Sequence, residues 1–261
     1  MKYSVTTLAV IISIFLVAQF VGLAINNNYL ITEELPYGLE PIEMEPGVSP
    51  WFFIGLILFF SAAMFFFMKK FKFDILMKFW FFAVILICIS ISLSAFISSG
   101  IALLVALSIS ILKFKEFDLY VHNLAEILVY GGLVVIFAPI FNLYAIILLL
   151  ILISLYDYIA VFITKHMVAL AEMQQNLGIF SGIVVINKGE AAILGGGDIA
   201  FTLLFAAVVL REFSMLSAIL SILGSALFIS LLMIFGKKNK FYPAMPFVAA
   251  GCILGFLISI L

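Results

Sequence analysis

Long apolar runs recur along the chain, and they restrict the fold more than any other feature of the sequence. A membrane-spanning helix needs ~20 mainly apolar residues, and runs of about this length fill most of the 261 residues. Only 10% of the residues are charged, whereas a soluble domain carries ~25%, so polar side chains are too few to cover a water-facing globule. The sequence therefore predicts an all-α, polytopic membrane protein.

Nine helices are predicted from these runs, in one transmembrane domain over residues 1–261. The fourth run is short and follows the third through Ser98-Ser99-Gly100, so these two could form one broken helix pair. The first run is longer than the ~7–15-residue apolar core of a signal peptide, and we therefore expect a retained helix. The nine ranges are 4–25, 51–68, 77–98, 99–112, 123–138, 141–164, 191–210, 213–235 and 242–261.

The basic residues orient these helices. With the N-terminus in the cytoplasm, twelve of the thirteen Lys and Arg residues fall on the cytoplasmic side, and Arg211 alone falls outside. The outer loop 26–50 then holds five glutamates and no basic residue, and the loop 165–190 is cytoplasmic. The positive-inside rule thus predicts a cytoplasmic N-terminus and an external C-terminus. The sequence contains no basic patch of the kind that binds nucleic acid.

Three of the fourteen acidic residues, Glu126, Asp157 and Asp198, fall inside predicted helices. An aspartate at the bilayer centre costs about 2.5–3.5 kcal/mol on insertion scales, so such residues indicate a function or a specific partner. Asn123 precedes Glu126 by three residues, and Asn-x-x-Glu is typical of a helix start that resembles a capping box. A polar face made by His122, Glu126 and Tyr130 is the alternative.

The two aspartates lie at similar predicted depths on helices that run in opposite directions. Asp157 precedes Lys165 by eight residues, which is about 12 Å along a helix, and Asp198 follows Glu190 by eight. Two carboxylates at close range do not both ionise readily, so one keeps a proton. The ionised group can accept a proton from an attacking water while the other donates to a peptide carbonyl oxygen. This pairing favours hydrolysis without a metal or another cofactor.

Three glycines at 195–197 directly precede Asp198. Without Cβ atoms they allow another backbone or side chain to approach, and they loosen a helix where water must enter. Close helix packing is the alternative. The sequence has no His/Cys cluster with metal-ligand spacing and no serine nucleophile motif. Cys88 and Cys252 lie in apolar runs and are predicted to be packed, free thiols.

At these residues the chain resembles the presenilin and signal peptide peptidase family of intramembrane aspartyl proteases. Tyr156-Asp157 matches the YD motif of the family, and Gly195-Gly196-Gly197-Asp198 matches its GxGD motif. Pro243-Ala244-Met245 resembles its PAL motif, with a methionine in place of the leucine. This exchange keeps volume and apolarity. The resemblance covers the whole chain.

The resemblance implies proteolysis of single-span membrane proteins within the bilayer, with Asp157 and Asp198 as the catalytic dyad. Tyr156, the glycines at 195–197 and the segment Pro243–Met245 would support the active site. The orientation resembles presenilins, and the compact length resembles a microbial, archaeal homologue in the cell membrane. Because the loop 165–190 is short, no obligatory partner subunit is expected. The oligomeric state is left open.

An unwound substrate would need a partner for its backbone. Ile183, Val184, Val185 and Ile186 form an apolar, β-branched run ahead of the GxGD motif, and they predict a strand edge for an extended substrate. An ordinary interfacial loop is the alternative. Two other functions are left open for the intramembrane aspartates, a proton- or cation-coupled transporter or leak channel and a prepilin-type GxGD peptidase.

Overall fold

The computed structural model describes residues 4–32, 34–40, 55, 74–115, 118–163, 180–187, 190–236 and 242–261. Eight α-helices and one two-stranded hairpin lie in these ranges, and the labels below number only these elements. The second predicted span, 51–68, lies outside the described residues except for Gly55. The count of nine helices therefore stays a prediction.

The described part of the chain is mostly helical. Five of its segments are long and apolar enough to cross a membrane, namely Val5–Thr32, Ile75–Ser94, Leu119–Ile140, Leu143–Ile163 and Met215–Phe235, and Met245–Ile260 is a shorter apolar helix. The protein is thus an integral, multi-pass membrane protein. The helices are α1 Val5–Thr32, α2 Asp74–Ser94, α3 Ser99–Lys115, α4 Leu119–Phe137, α5 Leu143–Tyr158, α6 Gly196–Glu212, α7 Met215–Phe235 and α8 Met245–Ile260.

Helix α4 begins earlier than the Asn-x-x-Glu pattern predicts. Its N-cap is Asp118, whose side chain accepts a hydrogen bond from the N–H of Val121 at 2.9 Å. Asn123 and Glu126 therefore lie inside the helix, and the capping-box interpretation is wrong. An aspartate one turn earlier satisfies the free N–H groups of the first turn, which leaves both side chains available for contacts outside α4.

Residues 190–195 form a strand instead of the start of a helix. Strand β1, Gly182–Asn187, pairs antiparallel with strand β2, Glu190–Gly195. Helix α6 begins directly after β2, at Gly196 and not at the predicted residue 191. An apolar run of this length fits a strand or a buried helix equally well, and the pairing with β1 decides between them. The hairpin is thus an addition to the predicted all-α fold.

A glycine makes the close approach at the base of the hairpin feasible. Gly182 has φ +142°, and a Cβ atom placed on it would lie 2.5 Å from the carbonyl oxygen of Leu194. A side chain is disfavoured there by both the backbone conformation and the lack of space. The hairpin therefore closes tightly where it joins α6.

Helices α1, α4 and α6 form the centre of the described bundle, and α8 packs against α7 and α5. Ile11 and Phe15 on α1, with Leu203 and Phe205 on α6, are completely buried. Each buried side chain of this size contributes about 1.5–3 kcal/mol relative to exposure in water, although in a bilayer close packing replaces part of that gain. Helix α6, which carries Asp198, is thus held from several sides.

Helices α5 and α6 are joined at the end far from the hairpin. The guanidinium of Arg211 donates to the carbonyl oxygens of Ala138, at 2.8 Å, and of Phe141. The neighbouring Glu212 accepts from the N–H of Leu143 at 3.1 Å. The end of α6 therefore lies at the start of α5, so the two helices run antiparallel. The end of α5 and the start of α6 meet at the opposite side of the bundle.

Candidate active site

Asp157 lies in the last turn of α5 and is buried. Its Oδ2 accepts a hydrogen bond from the N–H of Met245 at 3.1 Å, and the N–H of Ala244 donates to the same carboxyl group. Beyond Tyr158 the helix continues as a π-turn, Ile159–Ile163, a rare geometry that is frequent at functional sites. Asp157 is thus held against the start of α8.

The start of α8 directs free N–H groups at Asp157. The first N–H groups of a helix have no partner within it. Phe247 and Val248 donate to the carbonyl oxygen of Ala244, at 3.0 Å each, and Pro246 has no N–H. The N–H groups of Ala244 and Met245 are therefore those that bind Asp157. The helix begins at Met245, later than the predicted residue 242, and the buried Pro243 precedes it.

Asp198 lies in the first turn of α6 and is half-buried. Its carboxyl group accepts from the N–H of Gly195, the N-cap residue, as the acidic residue of a capping box does. A Cβ atom on Gly195 would lie 3.1 Å from Oδ2 of Asp198, so the glycine leaves room for this carboxyl group. Thr202 donates to the carbonyl oxygen of Asp198 at 2.7 Å.

The two aspartates face one another across α5 and α6, and Asp157 lies within electrostatic reach of Asp198. The structure brings both of them together with the predicted segment Pro243–Met245, although three different helices supply these residues. Tyr156 lies in the same turn as Asp157 and is 45% exposed. The arrangement places two carboxyl groups within electrostatic reach of one another, as acid–base chemistry on one bond requires.

The other two motif glycines differ in their surroundings. A Cβ atom on Gly196 would lie 2.7 Å from the hydroxyl oxygens of Tyr130 and Ser181. On Gly197 it would lie 3.8 Å from the ring of Phe201, an ordinary contact distance. Close approach by the rest of the protein therefore requires a small residue at 196 rather than at 197.

Two further polar residues, which the sequence reasoning missed, contact the α6 start. Gln19 on α1 is completely buried, and its Nε2 donates to the carbonyl oxygen of Ile199 at 2.9 Å. Thr202 is also completely buried. A glutamine inside an apolar run is itself a signal, because an amide at membrane depth needs a hydrogen-bonding partner. Gln19 attaches the helix that carries Asp198 to α1, whereas Thr202 bonds within α6 itself.

Ile183–Ile186 lie in a strand, as predicted. The outer edge of this strand, away from β2, is hydrogen-bonded to a side chain of α4. The N–H and C=O of Val184 both bond to the side chain of Asn123, at 3.0 and 2.8 Å. Backbone groups alternate between the two edges of a strand, so those of Ile183 and Val185 face β2. Helix α4 therefore covers β1 on the side away from β2.

Among the residues that the structure describes, no three His, Cys, Asp or Glu side chains are grouped to hold a metal ion. Cys88 and Cys252 are free and buried.

The chain is similar to known proteins in both sequence and fold. A family model described as signal-peptide peptidase, presenilin aspartyl protease matches residues 8–261. A presenilin family intramembrane aspartate protease solved in space group C222 has a TM-score of 0.70 and 20% identity, over 97% of this chain and 98% of that chain. A second such structure, in space group P2, has a TM-score of 0.69 and 20% identity, over 96% of each chain. No curated protein matches the sequence. The chain belongs to the signal-peptide peptidase and presenilin family of aspartyl proteases.

Proposed function

We propose that the chain hydrolyses peptide bonds within the transmembrane segments of single-span membrane proteins, with Asp157 and Asp198 as the catalytic dyad. The observation that carries this proposal is the placement of two carboxyl groups within electrostatic reach, at the end of α5 and the start of α6. Intramembrane ionisable residues are costly, and two of them at one point are best explained by chemistry that uses both.

In this mechanism the dyad works with one shared proton. The ionised carboxylate takes a proton from water as the water oxygen bonds to the peptide carbonyl carbon, and the protonated carboxyl group donates to the carbonyl oxygen. When the C–N bond breaks, the leaving nitrogen takes the proton that the first carboxylate accepted from water. One hydroxyl group of the tetrahedral intermediate returns a proton to the second carboxylate as the C=O bond forms again, which restores the dyad. The backbone N–H groups of Ala244 and Met245 hold Asp157 in position throughout, and the N–H of Gly195 does the same for Asp198.

The substrate backbone pairs with β2 in this proposal, and not with Ile183–Ile186 of β1. A helical peptide bond is shielded by its own hydrogen bonds, so the substrate must unwind, and an extended segment can add to a free sheet edge. Helix α4 occupies the outer edge of β1 at Val184. By the alternation of an antiparallel pair, Ala191 and Ile193 direct their backbone groups away from β1, and both are exposed. Strand β2 also leads directly into α6.

The test is cleavage of a single-span peptide by the purified chain in detergent, without an ion gradient. We expect defined products from the parent and none from Asp157→Ala or Asp198→Ala, with the double variant no worse than either, because residues that act as one unit are not additive. A metal chelator should leave the rate unchanged. Vigorous cleavage by folded Asp198→Ala would overturn the dyad, and ion transport without cleavage would favour the transporter.

The proposed topology has nine helices, a cytoplasmic N-terminus and an external C-terminus, in a microbial cell membrane and without an obligatory partner. Lys113 and Arg211 support the orientation, because their partners lie far apart along the direction of α4. Lys113 binds Glu126 and Arg211 binds the carbonyl oxygen of Ala138, twelve residues or about 18 Å further along the helix direction. Lys113 and Arg211 therefore lie at different depths in the bundle, as expected if Lys113 is cytoplasmic and Arg211 is external.

A further inference from the structure

A stripe of buried polar side chains on α4 faces the hairpin. His122, Glu126 and Tyr130 follow one another at intervals of four residues, so they lie on one face of the helix, and Asn123 lies beside them. All four are buried. These four residues are called the α4 cluster below. None of them has a part in the mechanism proposed above.

Within the α4 cluster, Asn123 contacts β1 as a neighbouring strand would. Its Nδ2 donates to the carbonyl oxygen of Val184 at 2.8 Å, and its Oδ1 accepts from the N–H of Val184 at 3.0 Å. Two residues earlier on β1, the N–H of Gly182 donates to Glu126 at 3.1 Å. The carbonyl oxygen of Gly182 lies 2.9 Å from Nε2 of His122. These four contacts fix β1 along its own direction as well as against α4.

The α4 cluster also contacts the start of α6. The hydroxyl groups of Tyr130 and Ser181 both donate to Oε2 of Glu126, and both hydroxyl oxygens would lie 2.7 Å from a Cβ atom on Gly196. Gly196 is the first residue of α6, two residues before Asp198. One group of side chains thus determines the positions of the hairpin and of the helix start that carries a catalytic carboxyl group.

Glu126 carries a negative charge at the centre of the α4 cluster, and a lysine neutralises it. Glu126 pairs with Lys113 of α3, and the two side chains are 2% and 5% exposed. A buried ion pair contributes little stability compared with apolar residues of the same size, whereas an unpaired buried charge is very costly. Stability therefore does not explain why this site is polar, but accurate placement of β1 by directional bonds does.

We propose that the α4 cluster sets the position at which a substrate is cut, a role that rests on the proposed proteolysis and on substrate pairing with β2. A substrate strand takes its register from β2, and β2 passes into α6 with no residue between them. The peptide bond that meets Asp198 is then chosen by where the hairpin lies along α4. One residue corresponds to ~3.3 Å along a strand, so a displacement of this size moves the cut by one bond. The four side chains are positioning residues that act through the hairpin.

The experiment uses the purified chain and one synthetic single-span peptide, with the product masses measured by mass spectrometry. Asn123→Leu keeps the approximate volume and removes both bonds to Val184. We expect the parent to cut mainly at one bond, and Asn123→Leu to spread its cuts over neighbouring bonds with kcat about tenfold lower. Asn26→Leu is the matched control, a buried asparagine of α1 nineteen residues from Thr7, where α1 contacts the hairpin. Its product masses should equal those of the parent.

The outcomes separate this role from the proposed function. A parent chain that cuts no peptide contradicts the proteolysis itself. Parent-like product masses from folded Asn123→Leu overturn the positioning role and leave the proteolysis intact. Folded Asn123→Leu that forms no product also overturns it, because the cluster would then be needed for the chemistry. If gel filtration shows that Asn123→Leu does not fold, the smaller Asn123→Ala, which also removes both bonds to Val184, is judged by the same product masses.

Discussion

The glycines before Asp198 differ in the space that the surrounding protein leaves for a side chain. A Cβ atom on Gly196 would approach the hydroxyl oxygens of Tyr130 and Ser181 to 2.7 Å, whereas on Gly197 it would meet Phe201 at 3.8 Å. We expect Gly196→Ala to lower the free energy of unfolding by about 1–3 kcal/mol. Gly197→Ala should leave it unchanged or raise it by about 0.4–1 kcal/mol. Chemical unfolding in detergent measures both.

The same pair of variants checks the contact between α4 and α6. Because the two hydroxyl groups are the flexible ends of side chains, Gly196→Ala should displace them without unfolding the bundle, and Asp198 should shift with them. Cleavage by Gly196→Ala should therefore fall together with its stability. Equal stability of Gly196→Ala and the parent would contradict the packing of Tyr130 and Ser181 on this helix start.

Single residues differ in how far the sequence alone reveals their roles. The proximity of Asp157 and Asp198 could be predicted, because an ionisable residue in an apolar run is costly and visible without any structure, whereas their catalytic role stays a prediction. For Glu126 the sequence leaves two interpretations open, because Asn-x-x-Glu has the same spacing at a helix start and inside a helix, and the structure confirms the polar face of His122, Glu126 and Tyr130. The residues of β1 that bond to this part of α4 lie about 60 residues further along the chain, and no local pattern indicates such a contact.

The start of α8 should be sensitive to its backbone and tolerant at the side chain of Met245. Asp157 is bound by backbone N–H groups, and the ring of Pro243 restricts the segment that leads into them. We expect Pro243→Ala to lower kcat about tenfold with little change in KM. Met245→Leu, which keeps the volume, should stay within about twofold of the parent. Steady-state kinetics on a single-span peptide give both values, and an unchanged kcat in Pro243→Ala would remove this segment from the active site.

The two strands of the hairpin can be told apart by proline substitution. Proline deletes a backbone donor and is tolerated at a sheet edge. If a substrate pairs with β2, Ile193→Pro should lower kcat/KM about twofold to tenfold, in line with one lost hydrogen bond of 0.5–1.5 kcal/mol. Ile186→Pro makes the matched change on the outer edge of β1, and both side chains are exposed.

The ratio of the two kcat/KM values assigns the substrate edge. A larger loss in Ile186→Pro than in Ile193→Pro would return the pairing to β1. Val185 is unsuitable for this purpose, because its backbone groups face β2 and a proline there would weaken the hairpin itself.

The sequence predicts the helices well, but it predicts only one of the two strands of the hairpin. Apolar runs of 14 residues or more identify the helices, since a helix pairs all its backbone groups within one segment, as a bilayer requires. The β-branched run 183–186 predicts β1, whereas the apolar run 191–210 predicts a helix where the alanine- and leucine-containing β2 forms. The pairing of β1 with β2 and the contacts with α4 decide this conformation, and both depend on the assembled bundle.

The predicted orientation assigns each connection to one side of the membrane. It predicts that Lys188 is cytoplasmic and that Phe213, which follows α6, and Leu261 are external. In intact cells, a membrane-impermeant thiol reagent should therefore label Phe213→Cys and Leu261→Cys but not Lys188→Cys. The cysteines already present, Cys88 and Cys252, are buried and give a low background. Labelling of all three variants from one side would contradict the nine-helix topology.

The hydrogen bonds between Asp157 and the start of α8 join residues 88 positions apart. During synthesis, α5 and α6 leave the ribosome before α8 does, so the dyad first exists without the N–H groups that hold Asp157. A growing chain at this stage carries both carboxyl groups but no ordered site. If Asp157 acts as proposed, we therefore expect the nascent protein to be inactive until α8 is in place.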